Sequence, residues 1–222
     1  MTAPTEAGIT AHLGTRWLGQ TLEVVPECAS SNDEIKARAQ RGAAHGLVVI
    51  ARAQHGGRGR RGHAWYSPPG NLYASVLLRL PLPATALPPL TLAAGVAVGD
   101  WLNGQGLTTS LKWPNDVLVP APGSALAGKK IAGILTEMST RAGEPSFLVV
   151  GVGVNANTAA FPAKLADTAT SMRLALGHAV DMDVVAAGIL AALERWIDRF
   201  VADGAGPIVQ AFSARTHMIG RR

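Results

Sequence analysis

The 222-residue chain is 48% hydrophobic and 16% charged, enough to bury one main core and too apolar to be disordered throughout. Its net charge of +5 is modest, and Arg58, Arg60 and Arg61 crowd into one stretch, which favours a discrete anionic ligand over a long nucleic-acid track. A single cysteine, Cys28, leaves no disulfide framework or cysteine zinc site; with no signal-like start and no run of about eighteen apolar residues, the expected compartment is the cytoplasm, away from any membrane.

Residues 1–20 read as a flexible N-terminal segment. "TLEVVPE" then predicts a short strand, and "SSNDEIKARAQRG" a helix, with Ser and Asn at its start, acids in the first turn and Gly42 at its end. The β-branched run "LVVIARA" (47–53) and "NLYASVLLRL" (71–80) are strands by composition, so the glycine- and arginine-rich stretch between them hangs off a sheet. After the proline-rich connection 81–89, Leu90, Ala94, Ala97, Val98, Trp101 and Leu102 recur at helical spacing. "TSLKWP", "VLV", "KKIAGILTEMST" and "FLVVGVGVNAN" predict a four-strand meander. Val185, Ile189, Ala192, Leu193, Trp196 and Phe200 then mark a long amphipathic helix, and a shorter one follows around 206–214. No internal repeat or domain linker is visible.

Four short stretches carry chemistry. The loop "QHGGRGRRGHAW" (54–65) combines glycines, whose backbone N–H groups can approach an anion, with guanidinium forks that bind oxyanions in pairs. It occurs once and ends in Trp65, unlike the repeated tails of RNA-binding RGG segments. In "KWPND", Lys112 ends a strand and Asn115 with Asp116 makes a turn that could face a cleft; a plain hairpin turn explains the same letters. In "GKKIAGI", Lys129 or Lys130 opens a strand and Gly133 sits against something bulky, although an edge lysine is commonly just solvated. In "GVGVNAN", glycines interrupt an apolar strand, which weakens it unless something comes close; no helix follows directly, so it is not a dinucleotide fingerprint.

Taken in order, these stretches resemble the catalytic domain of biotin protein ligases from about Leu22 onward. The resemblance implies an α+β fold, a mixed and largely antiparallel sheet flanked by helices, as in class II synthetase-like biotin and lipoate ligases. It also implies a two-step reaction. Biotin and Mg-ATP give biotinyl-5′-AMP and pyrophosphate, and a lysine of a biotin carboxyl-carrier domain then attacks the mixed anhydride. By position, the resemblance assigns biotin to Ser30, Ser31, Asn32, Gln54, Gly57, Arg58, Trp65, Lys130, Gly133 and Gly151. It assigns ATP or the adenylate to Arg58, Arg60, Arg61, Trp65, Lys112, Asn115, Asp116, Asn155 and Ala169, with Asp116 at the Mg²⁺. Arg58, Arg60, Lys112 and Lys130 are its expected catalytic cations. His63 stands where the family pattern has a third arginine.

The same resemblance implies a monofunctional ligase without a DNA-binding module, a catalytic domain over 21–215, and the start of a C-terminal β-barrel at 216–222. It leaves a homodimer open. Two alternatives stand beside it: a lipoate ligase or octanoyl transferase of the same fold, and a basic RNA-binding module.

Overall fold

The computed structural model describes residues 3–120, 123–141 and 144–216. Among these residues seven strands form one sheet: β1 (Leu22–Val25), β2 (Val48–Ala51), β3 (Leu72–Leu78), β4 (Ser110–Lys112), β5 (Asp116–Val119), β6 (Lys129–Arg141) and β7 (Glu144–Val154). Their order is β1-β2-β3-β7-β6-β5-β4, with β1 parallel to β2 and every other pair antiparallel. The predicted mixed, largely antiparallel sheet is therefore the observed one. The helices are α1 (Glu6–His12), α2 (Ser31–Gln40), α3 (Pro89–Gly104), α4 (Ala163–Ala166), α5 (Met172–Leu176), α6 (Met182–Asp203) and α7 (Gly206–Arg215).

Side chains alternate across a strand, so each strand serves two faces. On β7, Val150, Val152 and Val154 join Val48, Ile50, Ala74 and Val76 in the main core beneath α3 and α6. Val149, on the opposite face, packs with Ile35 and Ala39 of α2. Gly151 and Gly153 share that second face, where α2 ends and an open cleft begins. The helix stripes read from the sequence supply the lid of the main core: Leu90, Ala94, Ala97, Val98 and Leu102 are buried on α3, and Val185, Ile189, Ala192, Leu193 and Phe200 on α6.

The segment before β1 is not the flexible lead expected from its composition. It contains α1, and Ile9 and Leu18 are fully buried against the main core. A buried carboxylate explains the docking. Glu194, on α6, accepts the backbone N–H groups of Arg16, Trp17 and Leu18 at 2.8–3.1 Å. A sequence pattern cannot show that three successive amides far along the chain will meet one glutamate. Residues 217–222, most of the segment assigned to a barrel, lie outside the described residues.

Burial raises the Glu194 pKa, but the three amides more than offset it and the net shift is downward. The stabilisation from this group is therefore fully present above the ordinary carboxylate range and lost as pH falls through the lowered value. Glu194→Gln keeps one acceptor but turns an N–H₂ toward the Arg16 amide. It should cost about 1–2 kcal/mol of stability, from the loss of charge-assisted bonds. Denaturant melts at pH 7 and pH 4 check this: the gap between parent and variant should narrow at the lower pH.

Candidate active site

Strand register builds the site floor. Gly151 pairs with Ser75 on one side and Leu135 on the other, and Gly153 pairs with Tyr73 and Gly133. Ser75, Gly151, Gly153, Gly133 and Glu137 thus lie on one face, at and beside the first turns of α2. The glycines make room for the protein's own side chains. A Cβ on Gly151 would collide with the Asn32 amide, and one on Gly153 would stand 2.7 Å from the Trp65 indole. A Cβ on Gly133 would meet Lys130 Cε at 2.9 Å and the Trp65 ring at 3.0 Å.

Two adjoining cavities result. The inner one, about 40 Å³, is lined by Ser30, Ser31, Asn32, Gln54, Arg58 and Tyr73, with Asn115 and the glycines completing it. The outer one, about 320 Å³, is lined by Lys112, Asp116, Asn155, Phe161, Thr168 and Ala169, among others. Trp65 and Lys130 line both and form the wall between them. Lys130 Nζ is 2.6 Å from Asp116 Oδ1 and lies 4.9 Å from the Trp65 ring centroid, over its face. The Trp65 Nε1–H is buried with no hydrogen-bond partner among the described residues. A buried donor left unpaired is costly, so this indole is poised to turn toward an acceptor.

The inner floor is a chain of short polar contacts. Gln54 Oε1 accepts from Ser31 N at 2.8 Å and lies 3.1 Å from Ser31 Oγ, while Gln54 Nε2 donates to Ser67 Oγ at 3.0 Å. Ser75 Oγ stands 2.8 Å from Ser31 Oγ and 2.6 Å from Asn32 Oδ1. Ser30 has an extended backbone ahead of α2 and makes no capping bond, so its hydroxyl is available to a ligand.

Above this floor lies the arginine loop, more firmly held than three neighbouring guanidiniums suggest. Gly59 and His63 hydrogen-bond, Arg58 bridges to Ala64, and Trp65 N donates to Gly57 O at 2.9 Å. Arg58 donates two bonds to the Asp33 carboxylate, at 2.5 and 2.6 Å. Those bonds hold the Asp33 pKa below its ordinary range and raise that of Arg58. At the tip, Arg61 adopts a left-handed conformation (φ 55°) beside Gly62 (φ 76°), which turns the chain back. Arg60 and Arg61 are exposed, and neither is paired with any described residue.

Most residues expected at the site do meet there, but three do not. Gly57, Arg60 and Arg61 line neither cavity; Gly57 is buried under the loop, where a Cβ would meet the Trp65 carbonyl at 2.7 Å. Asn155 lines the outer cavity, yet its buried amide donates to Thr170 O at 3.0 Å and so also ties β7 to the segment before α5. The isolated bridge between Lys130 and Ala169 explains why Ala169 belongs here although its sequence context says little. Sequence reasoning missed Asp33, Tyr73, Ser75, Glu137 and Gly153. Three of these had a signal: a hydroxyl at every second position of an apolar strand for Tyr73 and Ser75, and a glycine two after Gly151 for Gly153.

Fold and site together define a biotin/lipoate-ligase-like α+β domain: the structure overlays the biotin protein ligase of Aquifex aeolicus solved with biotin and ATP with a TM-score of 0.77 at 27% identity, over 91% of this chain and 81% of that one. The model of the biotin/lipoate A/B protein ligase family matches residues 25–155, and the chain belongs to that family. The biotin–[acetyl-CoA-carboxylase] ligase of Mycobacterium tuberculosis is 38% identical over 94% of this chain and 75% of its own length. The bifunctional ligase/repressor BirA of Bacillus spizizenii is 35% identical over 91% of this chain, which spans 62% of that relative. No helix among the described residues is long and apolar enough to cross a membrane.

Proposed function

We propose that this domain activates biotin with Mg-ATP as biotinyl-5′-AMP and passes the biotinyl group to a lysine of a biotin carboxyl-carrier domain. The observation that carries the reading is the shared wall. A small polar cavity suited to a ureido ring opens onto a larger cavity edged by Lys112 and Asp116, and Lys130 stands where the two meet. A carboxylate reaching from the inner cavity and a phosphate resting in the outer one would converge on that ammonium. Because the reaction brings two anions together, it is limited by charge neutralisation and positioning. Arg58 and Lys112 would share the task with Lys130. Arg58 keeps its Asp33 pair and presents its remaining N–H to the ligand.

The donor set suits Mg²⁺, which typically takes one or two protein carboxylates and completes its shell with phosphate oxygens and water. Asp116 would hold it, and it would supply further neutralisation of the triphosphate. Trp65 walls the inner cavity, so its ring is the side chain placed to adjust as biotin enters. The glycines around it let the loop follow and then close over the hydrolysable anhydride. ATP dependence and a carboxylase substrate agree with a cytoplasmic enzyme.

Calorimetry with biotin, alone and with Mg-ATP, tests the reading. Biotin should bind alone, and adding Mg-ATP should release pyrophosphate and tighten retention. Failure to bind biotin would overturn the proposal. Preferential binding of lipoate would move the assignment to the other branch of the family, and RNA affinity falling steeply with salt would move it out of catalysis.

A further inference from the structure

Behind the inner cavity, outside the residues that line it, Glu137 sits at the end of a relay of hydrogen bonds whose direction can be worked out. One carboxylate oxygen of Glu137 is 2.7 Å from Asn32 Nδ2, and the other is 2.5 Å from Lys36 Nζ. A carboxylate only accepts, so the Asn32 N–H₂ must face it and Asn32 Oδ1 must face Ser75. That oxygen is buried, and its one partner among the described residues is Ser75 Oγ at 2.6 Å, so the Ser75 proton is committed there. If that proton went to Ser31 instead, Asn32 Oδ1 would be left buried and unpaired. Ser31 then finds acceptors for its own proton within the floor, Ser75 Oγ at 2.8 Å and Gln54 Oε1 at 3.1 Å. Either way, Ser31 shows the cavity only lone pairs.

We infer that Glu137 is a positioning residue that sets the polarity of the ligand pocket through Asn32 and Ser75, making Ser31 an obligate acceptor that selects a ring N–H over a ring oxygen. The inference rests on the proposed biotin reading and deepens it. Ser30, whose hydroxyl is uncommitted, is the neighbouring group free to donate to a ring carbonyl. The floor thus reads an acceptor beside a donor, which matches the edge of a cyclic urea.

Glu137→Gln inverts the relay with little change of shape. Glutamine has one acceptor oxygen, and the Lys36 ammonium can only donate, so the lysine takes that oxygen. The new N–H₂ then faces Asn32, whose amide turns to present Oδ1 at the cost of its 3.3 Å bond to Leu135 O. Its N–H₂ now points at Ser75, Ser75 donates to Ser31, and the Ser31 proton is no longer fixed away from the cavity.

The test uses biotin and its two cyclic carbamate analogues, in which one ureido N–H or the other is replaced by an ether oxygen. Affinities are measured by calorimetry on the whole chain, without nucleotide. The parent should bind one carbamate at least about a hundredfold more weakly than biotin, in keeping with the severe discrimination of sites built around a buried hydrogen bond. In Glu137→Gln that ratio should fall below about tenfold. Glu137→Asp, which keeps two acceptor oxygens, should keep the parent's ratio. The ratio is the readout because simple loss of packing would weaken all three ligands together. An unchanged ratio in a folded Glu137→Gln, or a parent that binds biotin and both carbamates alike, would overturn the inference and leave the biotin reading standing. A parent that does not bind biotin would overturn the biotin reading itself.

Discussion

Lys130→Ala should fold normally yet release pyrophosphate from biotin and Mg-ATP at least about 10²–10³-fold more slowly than the parent, the scale of losing one preorganised charge-stabilising group. Three features of the geometry make this effect large. Among the described residues the ammonium is the one cation lining both cavities, so none of them can replace it between the two reacting anions. Its removal also leaves Asp116, now 2.6 Å from Nζ, as an uncompensated negative charge facing the outer cavity. The Trp65 ring loses the cation over its face as well. Folding should be spared, because Lys130 is held in the sheet by backbone bonds to Thr168 O and from Thr170 N, which alanine retains. Near-parent pyrophosphate release from a folded variant would show that charge neutralisation at this point does not limit the reaction. Lys129, whose Nζ donates to Ala166 O at 2.6 Å, would be the next residue to test.

Arg60→Gly should weaken retention of the adenylate roughly ten- to hundredfold while slowing its formation less. Arg60 projects from the loop tip, outside both cavities and unpaired among the described residues. Its charge is therefore in place to meet a ligand only as the loop closes. A charge-assisted bond to the anhydride phosphate is worth about 1.5–3 kcal/mol, which sets the stated range. Arg58, Lys112 and Lys130 remain to neutralise the attack. Adenylate that escapes acylates any amine it meets, so the variant should biotinylate a bystander such as serum albumin when mixed with biotin and Mg-ATP. A variant that makes adenylate but leaves albumin as clean as the parent does would remove Arg60 from any role in holding the intermediate.

The legible parts of the fold were those governed by local pattern. Runs of apolar residues gave β2 and β3 because both faces of those strands are buried, and the stripes on α3 and α6 gave the helices over the main core. The N-terminal segment misled because its ordering comes from Glu194, which its own letters do not contain. At the site, the glycine-arginine loop, the strand-opening lysine and the Asn–Asp turn were visible because each departs from what its element alone would prefer. Within that loop, tertiary pairing decided what three neighbouring arginines cannot show: Asp33, on the first turn of α2, neutralises Arg58.

By itself the sequence determined the element order, the main core stripes, the family-bearing motifs and the set of cations that any anionic substrate must meet, since periodicity, turn chemistry and charge are local properties. Only the tertiary structure decided that Gly151 and Gly153 make room for Asn32 and Trp65, and that Lys130 stands between two cavities while Arg60 stands outside both. It alone also decided that a glutamate on β6 fixes the proton of a serine on α2. These depend on which residues strand register and helix docking bring within about 3 Å of one another, the range in which a hydrogen bond has its direction, and residues as far apart along the chain as Asn32 and Glu137 have no local pattern that could announce it.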